Sequence, residues 1–318
     1  MIKKPWLIAP SLVLLLAATM FVVASCNLVQ TTTATTSRVK CNGQKNNIGG
    51  SGTPITNEKC FKRLLVFSKT AGFRHASIKD GKIALQKLAA QQNYAVDFTE
   101  DSNVFTDVNL ACYDAVVFLL TTGTLLNGIQ KAAFERYIRG GGGYVGVHSA
   151  SDTEYDWSWY GGLVGAYFDR IHGHSKVMQA TIHVTDRTQP STMMLPAVWI
   201  RTDEWYNFAT NPRGKVNVLM TIDEKSYKGG TMGADHPIAW YHEYAGGRAW
   251  YTALGHTSAS YYEPLFLAHL WGGIVYAAGG RQRVMAMSQI IDVQYLVVLI
   301  SNMPLERKTQ NVLGFLHS

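Results

Sequence analysis

Cysteine is scarce in this chain, with four in 318 residues. That is too few to staple a domain of this length, so an apolar core must hold whatever folds. Charge is sparse as well. Charged residues make up 16% of the chain and hydrophobic ones 47%, a balance that excludes a disordered protein and fits a soluble globular one. The formal net charge is +7, and Lys3 and Lys4 supply two of the seven. No block of Lys or Arg follows in the body of the chain. Dispersed surface charge leaves no footprint for nucleic acid. There is no internal repeat, which excludes a solenoid or propeller.

The most informative absence is chemical. In Arg139-Gly140-Gly141-Gly142-Gly143-Tyr144-Val145-Gly146-Val147-His148-Ser149-Ala150, a helix ends at the glycines, a buried strand follows, and a sharp turn comes next. Many α/β enzymes carry a Ser or Cys nucleophile at that turn. Here the residue is His148, a poor covalent nucleophile but a good metal ligand or proton-transfer group. The glycines Gly141, Gly143 and Gly146 match the dinucleotide fingerprint in letters only. They precede their strand, so no helix N-terminus is offered to a pyrophosphate.

At the N-terminus, Lys3 and Lys4 precede an apolar run from Trp6 to Val23 that ends in Val23-Ala24-Ser25-Cys26. A charged start, an apolar middle and small residues before a Cys describe a secretory signal of the lipoprotein type over residues 1–25, with a lipid on Cys26. An uncleaved membrane anchor is the alternative. Both readings place the protein outside the cytoplasm, attached to a membrane. Residues 26–60, rich in Thr, Gly and Asn, read as a solvated tether. Cys41 and Cys60 flank a polar loop where a disulfide is permitted. Cys112 reads as an inert thiol at the edge of the core.

The folded part spans residues 61–280. Strand patterns at 61–68, 94–99, 114–120 and 144–147 alternate with helical ones that begin at Ser77 and at Asn127, predicting a doubly wound α/β sheet. Ser77 with Asp80 three residues on has capping-box spacing. Strand patterns follow at 177–184, 216–222, 237–244 and 248–254, and residues 261–278 close as a helix. Residues 281–318 form a tail whose structure the pattern does not decide.

Five polar clusters stand out: Thr70 to His75, His148 with Asp152, Glu154 and Asp156 beyond it, Arg201 to Tyr206, Asp235 to Pro237, and Gly255 to Thr257. His75, His148 and His256 all fall just past strand ends, where loops converge in such folds. His172, His174, His183, His242, His269 and His317 read as structural. Three imidazoles with Glu204 or Asp203 would suit Zn²⁺ or another divalent ion. A metal-free acid/base site built from the same residues is the competing reading. Trp157, Trp159, Tyr160, Trp205, Tyr206, Trp240, Tyr241, Tyr261 and Tyr262 crowd these motifs. Most should be core, with a minority lining the site.

The runs Leu64 to His75, Gly146 to Asp152, Thr202 to Tyr206, His236 to Trp240 and Tyr251 to Thr257 resemble the ThuA-like (trehalose utilisation) domain family. The resemblance implies a flavodoxin-like, mostly parallel sheet related to class I glutamine amidotransferases. Those enzymes use a Cys where this chain has His148, so glutaminase chemistry is not expected. It also implies a small-molecule carbohydrate as partner. The site expected on these grounds has His148, His256, Glu204 and Asp203 in catalysis. Arg74, His75, Asp152, Trp205, Tyr206 and His236 would bind substrate, and His75, His148 and His256 are the candidate metal ligands. A non-catalytic sugar-binding module on the same scaffold is the alternative.

Overall fold

The computed structural model describes residues 62–279. The signal, Cys26, the tether with Cys41 and Cys60, and the tail with His317 lie outside the described residues. The chain forms β1 (Arg63–Phe67), α1 (Ile78–Gln91), β2 (Ala95–Thr99), α2 (Asp107–Leu110), β3 (Ala115–Leu119), α3 (Gly128–Arg139), β4 (Gly143–Val147) and α4 (Ser158–Val164). Next come β5 (Met178–Val184), β6 (Val198–Asp203), β7 (Asn217–Ile222), β8 (Pro237–Tyr244), β9 (Gly247–Thr252) and α5 (Pro264–Ala277). Among the described residues, nine strands make one sheet, ordered β2-β1-β3-β4-β9-β8-β7-β5-β6.

The sheet has two halves. From β2 to β9 every pairing is parallel, in the order of a doubly wound sheet whose strand direction of travel reverses between β1 and β3. From β9 to β6 every pairing is antiparallel. The expectation of a mostly parallel sheet is therefore corrected to a mixed one. The strand patterns at 216–222, 237–244 and 248–254 gave no direction, and the two-residue connection between β8 and β9 makes a hairpin.

Continuous apolar runs explain the parallel half. β3 and β4 are buried throughout, as strands covered on both faces must be. Phe67, Phe105, Phe118 and Phe134 pack edge-on or stacked at 4.8 to 6.0 Å. α1 packs beside α5, and α2 beside α3. The α3 terminus matches its sequence signals, with a capping box between Asn127 and Gln130 and a stop at Gly140. Gly143 and Gly146 lie inside β4, away from any helix start.

Several local expectations are corrected. Ser77 makes no side-chain cap; its hydroxyl donates instead to the His256 carbonyl at 2.7 Å. β6 and α4 carried no clear pattern, because β6 is an edge strand with Val198 and Ile200 exposed. The closing helix starts at Pro264, after a 3-10 turn at Ser258–Tyr262. Cys112 is disulfide-bonded, not an inert thiol. Among the described residues, no helix is long and apolar enough to cross a membrane.

His269 on α5 is fully buried, with its ring nitrogens 2.9 Å from the Ser191 carbonyl and 3.1 Å from Thr252 Oγ1. Burial pushes its pKa down to about 3, below the 6.5 of an exposed imidazole. The unfolded chain then binds one more proton than the folded one between those values. Stability from this group is full above pH 6.5 and lost as pH falls toward 3. In His269→Gln, chemical denaturation from pH 6.5 to 3 should give a stability slope smaller by one proton. An unchanged slope would show that His269 does not couple to folding.

Candidate active site and metal centre

Strand direction gathers the site. β1, β4 and β9 run the same way, and three successive antiparallel steps after β8 return β6 to that direction. His75, His148, Glu204 and His256 therefore all follow strand ends at one edge. In a flat sheet β6 would lie roughly 19 Å from β9, yet Asp203 Oδ2 accepts from Gly255 N at 2.9 Å. The antiparallel wing curls back over the parallel half.

Each imidazole is positioned by its backbone. His148 sits at φ 51°, a left-handed conformation uncommon for a residue with a side chain. It is held there by the Tyr251 hydroxyl, which donates to the His148 carbonyl at 2.8 Å. His148 Nδ1 lies 2.7 Å from the Ala253 carbonyl. A carbonyl can only accept, so Nδ1 donates to it and Nε2 is the nitrogen turned toward the cluster. Such an orienting bond is the usual second contact of a metal-bound histidine. Gly255, at φ +105°, makes the turn that presents His256. The His256 amide donates to Asp203 Oδ1 at 3.1 Å, and its carbonyl is the one held by Ser77.

The four donor groups converge. Glu204 Oε2 lies 3.0 Å from His256 Nδ1 and 3.3 Å from His148 Nε2, which are themselves 3.3 Å apart. The His75 ring stands edge-on to those of His148 and His256, at 4.9 and 5.0 Å. One donor atom from each of His75, His148, Glu204 and His256 falls within 4.8 Å of the others. Ligands about 2 Å from a tetrahedral Zn²⁺ stand roughly 3.3 Å from each other. Three imidazoles and one carboxylate, mostly buried, thus fit a divalent ion of the zinc type.

The electrostatics agree with that fit. Burial, with the neighbouring His148 and His256, pushes His75 down to about 2, so it is a neutral ring with a lone pair to give. Burial alone would raise Glu204, but hydrogen bonds from His148 and His256 hold it well below the usual carboxylate range. Burial likewise opposes a charged His256, and the Glu204 carboxylate outweighs it and raises the ring. The centre is one carboxylate facing several imidazoles.

His174, read as structural from the sequence, belongs to this site. Its Nδ1 lies 2.9 Å from Glu204 Oε1, the oxygen turned away from His256. Residues 168–174 pair with 206–208 through bridges Phe168 to Phe208 and His174 to Tyr206. Gly173 at φ +69° makes the turn. No local motif marks His174; the one signal was a Gly-His step within the aromatic-rich connection.

Other expected site residues fall elsewhere. Arg74 is half exposed and spends its guanidinium on Glu100, at 2.9 and 3.0 Å, so it does not close the pocket. Trp205 is fully buried, its ring N–H donating to the Met178 carbonyl. His236 is buried beneath Tyr206, with Nε2 2.8 Å from the Tyr206 carbonyl and Nδ1 2.8 Å from Glu224. Both support the wall without reaching its surface. Tyr206 packs its ring 4.1 Å from that of His148. Asp152 accepts from the Tyr155 hydroxyl at 2.6 Å, and burial raises its carboxyl. Of the nine crowding aromatics, Tyr262 is the one strongly exposed. Cavities of about 450 and 480 Å³ lie away from the cluster, the first at the opposite edge of the sheet beside Tyr137 and Arg248.

Asp203 is a positioning residue, not a general base. It is fully buried and both oxygens are taken: Oδ1 by the amides of Glu204 and His256, Oδ2 by Arg201, Gly255 N and Ser260. Asp203→Ala should cost about 3–5 kcal/mol in urea denaturation, since it takes one carboxylate from the buried Arg201 and strands three amides. A loss under about 1 kcal/mol, the range of exposed pairs, would show that the carboxylate does not hold the two halves together.

No curated protein matches the sequence. Among solved structures, the chain is similar to a putative ThuA-like protein from Bacteroides uniformis, with TM-score 0.58 and 23% identity over 71% of this chain and 95% of that one. A putative ThuA-like protein from Parabacteroides merdae gives TM-score 0.57 and 20% identity over 70% and 92%. At such identities the likeness is one of fold. The family model described as trehalose utilisation matches residues 63–277, and the chain accordingly belongs to the ThuA family.

Proposed function

We propose that this ThuA protein is a carbohydrate-active enzyme, acting on a disaccharide such as trehalose or on an oxidised glycoside. In this reading His75, His148, His256 and Glu204 hold a divalent ion at the strand-end edge of the sheet. The observation that carries it is the convergence of four donor atoms, three of them on buried residues, within 4.8 Å, on a domain whose family is described by trehalose utilisation. A metal-free acid/base site of the same residues explains less. It gives no reason for a third neutral imidazole, His75, pressed against the other two.

When bound, the ion would act as a Lewis acid that draws charge from a sugar oxygen. The chain's residues do the rest. His148 and Tyr206 form one wall, and their packing fixes the ring plane. His174 and Asp152 stand outside the ligand set and are the groups left to handle protons. On a keto-sugar, one of them takes the proton from the carbon beside the carbonyl while the electron pair moves onto the carbonyl oxygen. Elimination or isomerisation follows according to whether a glycosidic oxygen departs or the proton returns at the neighbouring carbon. The charged start, apolar run and small residues before Cys26 support export and a lipid anchor.

Elemental analysis should find about one divalent transition metal per chain. Incubation with trehalose and 3-keto-trehalose should consume one of them. His148→Ala should lose the metal and abolish turnover while its thermal midpoint in chelator matches that of the wild type. Full turnover by metal-free protein would discard the metal. Thermal stabilisation by either sugar without any product would favour a non-catalytic sugar-binding module.

A further inference from the structure

Phe73 is a large aromatic left 66% exposed. Its ring stands edge-on to the His75 ring, with centroids 4.8 Å apart and planes at 83°. His75 in turn contacts both His148 and His256. Among the described residues, the exposed large hydrophobics include two aromatics, and the hydroxyl of the other, Tyr262, is engaged by Asp80 at 2.8 Å. Single exposed apolar residues are common on any surface. Two features set this one apart: it touches the cluster, and its backbone is fixed.

The fixing comes from Thr122, a fully buried residue just past β3. Its carbonyl accepts from Ala71 N at 2.8 Å, its Oγ1 accepts from Gly72 N at 3.2 Å, and the same hydroxyl donates to the Phe73 carbonyl at 2.9 Å. A bridge between Thr70 and Thr122 ties the loop's first residue to the same anchor. Ala71, Gly72 and Phe73 are thus tied through their backbones to one buried residue. The loop leaves the end of β1 and is held to the residue just past β3, where the strand order reverses and doubly wound sheets open a crevice. A ring held out of the core at that crevice has lost its burial while its backbone is held in place.

We propose that Phe73 is the stacking platform for the substrate's sugar ring, beside the cation site. One face of a pyranose is a set of C–H groups, apolar and slightly positive, and the face of an aromatic ring is slightly negative. The edge-on His75 leaves a face of Phe73 to receive that ring, while His75 supports the platform from the cluster side. Polar edges of the sugar then reach the imidazoles and Glu204. This inference rests on the carbohydrate reading above.

The test is titration calorimetry with trehalose and 3-keto-trehalose, beside metal analysis and steady-state kinetics, on wild type, Phe73→Ala and Phe73→Trp. Phe73→Ala should bind the preferred sugar about ten-fold more weakly, the size of one lost stacking contact. KM should rise with kcat kept within about two-fold, because stacking binds ground state and transition state alike. Its metal content should equal that of the wild type, and Phe73→Trp should restore affinity. Wild-type affinity in Phe73→Ala, or loss of metal along with affinity, would overturn the platform and leave the carbohydrate reading standing. A wild-type protein that binds neither sugar would overturn that reading, and this inference with it.

Discussion

A carboxylate that no solvent reaches ties the two halves of the sheet together. Asp203 ends β6, at the far end of the antiparallel wing, and its oxygens hold the amides of Gly255 and His256 just past β9 in the parallel half. Burying a charge there is costly unless every lone pair is used. Arg201 and Ser260 use those that remain. Because the next residue is Glu204, the same contact delivers the Glu204 carboxylate to His256. The order of the chain makes the clamp and the site inseparable.

What the clamp assembles is a small electrostatic device. One carboxylate faces His148 and His256 with one oxygen and His174 with the other. His148 is locked by its own carbonyl acceptor and by a strained backbone, and His75 is kept neutral by burial. His236 behind the wall is satisfied too, between the Tyr206 carbonyl and Glu224. Preorganisation of this kind is what a metal or a transition state requires, since little must move when charge arrives.

Much of this was legible in the sequence, and the misses have physical causes. His75, His148 and His256 were placed correctly at strand ends because apolar runs of β1 and β4 and the aromatic run of β9 announce their own termini. Glu204 was found beside them through the cluster of residues 201–206. The direction of the antiparallel wing was not legible, since hydrophobic alternation is blind to strand polarity. β6 was missed because its exposed Val198 and Ile200 blur the alternation of an edge strand. His174 was missed because it meets Glu204 through a tertiary bridge with no local spacing to signal it. Arg74 was assigned to the pocket from its neighbours in sequence, when Glu100 and Lys82, brought close by β2 and α1, had already claimed that surface.

The central claim is that one sheet edge gathers His75, His148, Glu204 and His256 around a single cation. Crystals grown with Zn²⁺ or Mn²⁺ and measured at the metal's absorption edge test it directly. The account predicts one anomalous peak inside this cluster, with three nitrogens and one carboxylate oxygen at about 2.0–2.2 Å. A metal bound elsewhere, or side chains at 75, 148 and 256 turned into separate regions, would contradict it.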